Sequence, residues 1–189
     1  MKVLKKNNKN INKIATALKN GAVLICPTDT VYGFLADALN KKAVDKIYKI
    51  KKRLKSKPLP VFVKDIKMAK ELAEINKKQI KILKTKWPGK YTFVLERKNK
   101  IKLYGIDKNT IALRVPKYKF LNVLLKKINK PLGQTSVNIS GQPSLTKISD
   151  IIKQLGKLDI LAVDAGNLKK SKPSKIIDLT NNKTKILRK

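Results

Sequence analysis

The sequence has no histidine, a single cysteine (Cys26), only 5 % aromatic residues, and 12 acidic side chains against 46 lysines and arginines. Without histidine there is no Ser-His-Asp triad, no imidazole acid or base, and no Cys/His zinc centre. One cysteine excludes an intrachain disulfide. No apolar run approaches the ~20 residues that cross a bilayer. The polar, Lys/Asn-rich residues 1–12 are not backed by the apolar core of a signal peptide, so a cytoplasmic protein without membrane partners is expected. Neither GxxxxGK[ST] nor GxGxxG occurs, which removes the P-loop and dinucleotide-binding loops. What remains is chemistry by binding, positioning and charge, or through a metal held by carboxylates and phosphates.

What is present is a folded composition. In 189 residues, 42 % hydrophobic and 31 % charged content lies outside the range of disordered chains. The length suits one domain, residues 1–189, with no additional C-terminal domain and a core that needs no staple. The formal charge of +34 invites a polyanionic partner. Lysine and asparagine are nevertheless spread through every segment, ordinary helix faces such as 76–86 included, and no basic–aromatic interleaving offers a stacking surface for bases. An RNA-binding module without turnover stays open as an alternative, marked by steep salt dependence.

Apolar periodicity predicts helices over 11–18, 41–51, 66–75, 77–84, 120–128 and 148–155. Short apolar or alternating runs predict strands over 22–26, 31–36, 59–63, 91–96, 110–115, 132–136, 160–163, 176–179 and 185–187. Strands interleaved with helices imply a layered α/β domain. Because only a few residues join 22–26 to 31–36, the sheet is expected to be mixed rather than wholly parallel.

Three polar clusters sit where strands end. Residues 26–33, Cys-Pro-Thr-Asp-Thr-Val-Tyr-Gly, put two hydroxyls and a carboxylate on a tight turn, though the same residues can form a self-satisfied Asx or Thr turn. Residues 51–59 carry Lys51 and Arg53, which form a phosphate clamp if they project together from an extended turn, or otherwise an exposed basic loop. Residues 134–144, rich in small polar side chains, read as a hydrogen-bonding rim or as an ordinary loop of turn formers.

Taken together, PTDTVYG (27–33), KxR (Lys51, Arg53) with KPL (57–59), PGxxT (88–92), TIALRVP (110–116), SxNISG (136–141) and PSKIIDL (173–179) resemble the YrdC/TsaC family of threonylcarbamoyl-adenylate synthases. The pieces occur in family order and span nearly the whole chain.

That resemblance implies a three-layer α/β fold, a twisted mixed sheet flanked by helices around a large, positively charged cavity. It implies that L-threonine, bicarbonate or CO2, and ATP are joined into threonylcarbamoyl-AMP and pyrophosphate, for the modification of adenosine 37 in tRNA. It places Thr30, Arg114, Ser136 and Ser174 on L-threonine. It places Arg53, Lys57, Thr110, Asn138, Thr146 and Arg188 on the nucleotide, with Lys51 beside the phosphates. Lys51 and Arg53 are the expected electrostatic catalysts, and no residue is assigned as general base. Mg2+ is expected with ATP, with its protein ligands unassigned and no organic cofactor. The expected partners are a downstream tRNA threonylcarbamoyl transferase complex and, as an open question, tRNA or another RNA. A carbamoyl-phosphate-using relative of hydrogenase maturation is a third reading. Two residues depart from the family pattern. Phe62 stands where some relatives place a threonine-contacting histidine, and Lys90 stands where proline commonly follows the PG pair.

Overall fold

The computed structural model describes residues 1–169, 171–181 and 184–188. Ten strands form one open sheet: β1 (Lys2–Lys5), β2 (Leu24–Cys26), β3 (Gly33–Asp37), β4 (Val61–Phe62), β5 (Tyr91–Glu96), β6 (Thr110–Arg114), β7 (Leu132–Ser136), β8 (Leu161–Asp164), β9 (Lys175–Asp178) and β10 (Lys185–Arg188). Their order is β1-β8-β2-β3-β7-β4-β6-β5-β9-β10. The sheet is mixed, as expected: β2–β3 and β3–β7 are antiparallel, whereas β4–β6 and β5–β9 run parallel.

Six helices flank it: α1 (Ile11–Lys19), α2 (Lys41–Lys51), α3 (Ile66–Leu72), α4 (Lys77–Lys86), α5 (Lys119–Ile128) and α6 (Ile148–Leu155). Side-chain caps fix several starts. Asn40 accepts from the Ala43 N–H at α2 and Asp65 from the Met68 N–H at α3, while Asn76 and Gln79 form a capping box at α4.

The period of two along each strand sorts the core. Leu24, Cys26, Leu35, Phe62 and Leu132 pack under α1 and α5. Ile25, Phe34 and Ala36, on the opposite face, pack with α2 and α6, and Val61, Phe93, Leu95, Ile111 and Leu113 pack with α3 and α4. Helices therefore lie on both faces of the sheet, giving three layers. On the face shared with α1 and α5, cross-strand register lines up Arg114 with Phe62 and Ala112 with Val94. Gln134 and Ser136 follow Leu132 on that face. The two helices leave this stretch uncovered, and it becomes the floor of a cavity.

The structure corrects three expectations. Residues 2–5 form an edge strand, parallel to β8, where only a polar terminus was expected. The helix predicted over 66–75 stops at Leu72, because Ala73 turns extended and bridges Arg97. The strand predicted over 59–63 shrinks to Val61–Phe62, flanked on its N-terminal side by Pro58 and Pro60, which have no N–H to give a ladder.

Candidate active site

A cleft of about 560 Å³ opens over that floor, within the size range of small-molecule sites. Among the expected site residues, Thr30, Arg53, Thr110, Arg114, Ser136, Ser174 and Arg188 line it. The charged lining is three arginines and one carboxylate, Asp107.

Arg114 is the fixed centre of one wall. Its side chain is 2 % exposed, and its Nη2 pairs with Asp29 Oδ1 at 2.6 Å while Nε donates to the Gly89 carbonyl at 2.9 Å. Asp29 in turn accepts from the Lys117 N–H. Burial lowers the Arg114 pKa and Asp29 opposes that shift. The Arg114 guanidinium also lies 5.6 Å from the Phe62 ring, so Phe62 gives this cation an aromatic face. Among the described residues Arg114 Nη1 has no protein partner, leaving it for a ligand.

The hydroxyls beside it are oriented by their neighbours. Thr28 Oγ1 donates to the Val31 carbonyl at 2.7 Å, so the Thr30 hydroxyl, 3.0 Å away, must donate to Thr28 and turn its lone pairs outward. Ser136 Oγ donates to Asn138 Oδ1 at 2.7 Å, because the Asn138 amide spends its N–H groups on the Ile139 and Gln142 carbonyls. Both hydroxyls are thereby set to accept.

Arg53, also in the lining, is only half-buried. Its Nε and Nη2 donate to the carbonyls of Lys57 and Pro58 at 2.9 and 3.1 Å. Thr110 is held by Asp107 Oδ1, which also accepts from the Asn109 and Thr110 N–H groups and has its pKa lowered by them. Arg188 reaches from β10 to the Ser174 carbonyl at 3.0 and 2.7 Å.

A family model covering the Sua5, YciO and YrdC proteins, described as telomere recombination, matches residues 16–189. The chain belongs to this family. It is 37 % identical over 187 residues to a proposed threonylcarbamoyl-AMP synthase of Methanocaldococcus jannaschii, a match over 97 % of this chain and 88 % of that one. It is 32 % identical over 168 residues to threonylcarbamoyl-AMP synthase of Pyrococcus abyssi, covering 86 % of this chain and 48 % of that protein, so it spans about half of that relative's length. The structure of P. abyssi Sua5 complexed with L-threonine matches it with a TM-score of 0.88 at 29 % identity, over 99 % of this chain and 56 % of that one.

Within this Sua5/YciO/YrdC cleft, four expected site residues stand apart from the lining. Lys57 is exposed and contributes its carbonyl to Arg53 and Tyr48. Thr146 contributes its carbonyl to the Leu168 N–H. Asn138 is committed to its own loop, as above.

Lys51 departs most from the picture of an extended-turn clamp. It ends α2, after which Lys52 takes a left-handed conformation (φ 50°), and its side chain turns inward. Only 2 % exposed, its ammonium donates to the Ser136 carbonyl (2.6 Å), the Asn138 carbonyl (2.9 Å) and Asn138 Oδ1 (2.7 Å). Burial, with a smaller push from Arg53, brings its pKa down to about 8. Here Lys51 braces the loop that carries Ser136, and Arg53 faces the cleft without it.

Sequence reasoning did not assign Asp29 or Thr92. Thr92, fully buried, lies 2.9 Å from Ser174 Oγ. Its place in the PGxxT element was the available signal. Among the described residues no helix is long and apolar enough to cross a membrane.

Proposed function

We propose that the chain is a threonylcarbamoyl-AMP synthase. What supports this reading is one cleft that gathers the hydroxyls of Thr30, Ser136 and Ser174 with the guanidiniums of Arg53, Arg114 and Arg188, in a chain whose relatives bear that name. The L-threonine complex of the P. abyssi relative supports the same substrate here. Thr30 and Ser136 receive the amino acid's N–H and O–H groups, and Arg114 its carboxylate.

The reaction adds the deprotonated amine to CO2, or to bicarbonate with loss of water. A carbamate oxygen then attacks the α-phosphorus of ATP, forming the mixed anhydride as the bond to pyrophosphate breaks. Such a displacement depends on alignment and on neutralising oxygen charge, and Arg53, in the cleft lining, is the residue proposed for both. Thr110 and Arg188, which line the cleft, are the proposed nucleotide contacts; Lys57, Thr146 and the committed Asn138 side chain stand outside its lining and are left out of that set, and Lys51 acts through the Ser136 segment.

Among the described residues no three Asp, Glu, Cys or His side chains gather into a metal cage. The cleft's guanidiniums cannot ligate a cation, so Mg2+ would be held by the nucleotide's own phosphates and water and would supply charge neutralisation there. The product feeds a tRNA threonylcarbamoyl transferase complex in the cytoplasm, and the lysine-rich surface favours contact with tRNA.

The test is pyrophosphate release from ATP and bicarbonate with L-threonine, with L-serine and with no amino acid, alongside mass detection of the adenylate. Threonine-dependent release with the expected mass is predicted; nucleotide binding without a threonine-dependent product would remove the assignment.

A further inference from the structure

The buried Thr92 does not itself line the cleft, yet it touches a residue that does. Ser174 lines the cleft and is 4 % exposed, and its Oγ lies 2.9 Å from Thr92 Oγ1 and 3.2 Å from Arg188 Nη2. Arginine only donates, so Arg188 occupies one acceptor position of Ser174. The Thr92–Ser174 bond can run either way by distance alone, and the surroundings decide it.

Thr92 is 0 % exposed, and among the described residues its hydroxyl has no partner other than Ser174. Were Ser174 the donor, the Thr92 proton would be buried without an acceptor, a costly state that folded proteins avoid. With Thr92 as donor its proton is satisfied. Ser174 then accepts twice, and its own proton is left facing the cleft.

We propose that Thr92 is a positioning residue that, with Arg188, fixes the Ser174 hydroxyl as a hydrogen-bond donor for an anionic ligand oxygen. This polarity is opposite to that of Thr30 and Ser136. It favours a carboxylate or phosphate oxygen at Ser174 and disfavours an ammonium there. The inference rests on the proposed function only for which of the two anions is bound.

Thr92→Val keeps the shape of the side chain and removes the donor. Calorimetric titration of L-threonine and, separately, of a non-hydrolysable ATP analogue reads the effect without turnover. A whole hydrogen bond to an ionised group corresponds to roughly 10- to 150-fold in affinity, and releasing the Ser174 hydroxyl from its fixed direction forfeits part of it, so roughly 5- to 20-fold weaker binding of one ligand is predicted. Weakening for L-threonine marks the carboxylate as the acceptor, and weakening for the analogue marks a phosphate. Thr92→Ser is expected to restore binding to within about twofold, because one hydroxyl replaces another at the same donor position.

In steady-state kinetics Thr92→Val raises the corresponding KM and leaves kcat nearly unchanged. Combined with Ser174→Ala it adds nothing further, because it acts through that hydroxyl. Should Thr92→Val fail to fold, Thr92→Ala in the same cycle reads the same coupling. Unchanged binding of both ligands, or effects that add to those of Ser174→Ala, would overturn the proposal. Wild-type protein that binds L-threonine without turning it over would sink the proposed function and leave this inference standing. Wild-type protein that binds neither ligand would sink both.

Discussion

Two arginines face the same cleft and are held in opposite ways. Arg114 is enclosed, ion-paired with Asp29 and backed by the Phe62 ring, with one nitrogen left over. Arg53 is half-buried and, among the described residues, tethered only to two backbone carbonyls of the following loop. A buried charge must be compensated by the protein itself, so Arg114 belongs as much to the fold as to the site. A partly solvated guanidinium is screened by water and can change partners when phosphates arrive. One arginine therefore defines where an anion sits, and the other can follow charge as it moves.

The sharpest way to break this contrast is Asp29→Ala. Leaving the Arg114 charge without its partner should cost about 3 kcal/mol of stability, the low end for a buried pair because cavity water reaches the site. Urea denaturation reads it, and a loss below about 0.5 kcal/mol, the ordinary surface range, would show that Arg114 does not need Asp29.

Arg53→Ala should do the reverse. Its melting temperature should stay near wild type, while turnover falls by about 2–4 kcal/mol in activation free energy, the range for a donor to a developing oxyanion. An unchanged kcat would take Arg53 out of the chemistry.

Lys51 sharpens the comparison because it is a second buried cation, and no carboxylate pairs with it among the described residues. Its pKa of about 8 in the fold lies below the ordinary value of 10.5. From about pH 8 to 10.5 the unfolded chain binds the extra proton, so this group's contribution to stability rises with pH. Against Lys51→Met, the wild type should gain roughly 2–4 °C in melting temperature per kcal/mol across that window. A flat difference would show that the three carbonyl and amide acceptors hold the proton on.

The smallest effect is expected at Lys90, whose ammonium meets the Ser171 hydroxyl at an exposed site. Lys90→Ala should change stability by less than about 0.5 kcal/mol and leave both KM values alone. A large loss of threonine affinity would mean that this departure from the family pattern carries function.

Legibility in the sequence followed burial and distance along the chain. Helices α2, α5 and α6 and strand β5 declare themselves through period and flanking stop signals, and their observed bounds match the expected ones to within a residue. Strand β1 does not, because this four-residue edge strand begins and ends on lysine and its side chains are mostly exposed. The inward turn of Lys51 was partly legible, since Val44, Ile47, Tyr48 and Lys51 share one helical face and the first three are plainly core. A lysine at the fourth place reads as phosphate chemistry only if that face is ignored. The Arg114–Asp29 pair joins residues 85 positions apart, and the Thr92–Ser174 pair joins residues 82 apart. No local pattern announces either, and only the sheet order brings them together.

The open sheet ends at β1 on one side and β10 on the other. Lys2 and Lys5 stand on the first edge and Lys185 on the second, all exposed. An unpaired edge is a template for adding another chain, and cations on both edges make two copies repel before their backbones can zip together. Salt shortens the reach of such repulsion to about 3 Å at 1 M. The surplus lysines thus act as a guard against fibre growth that is strongest in dilute buffer and fades in brine.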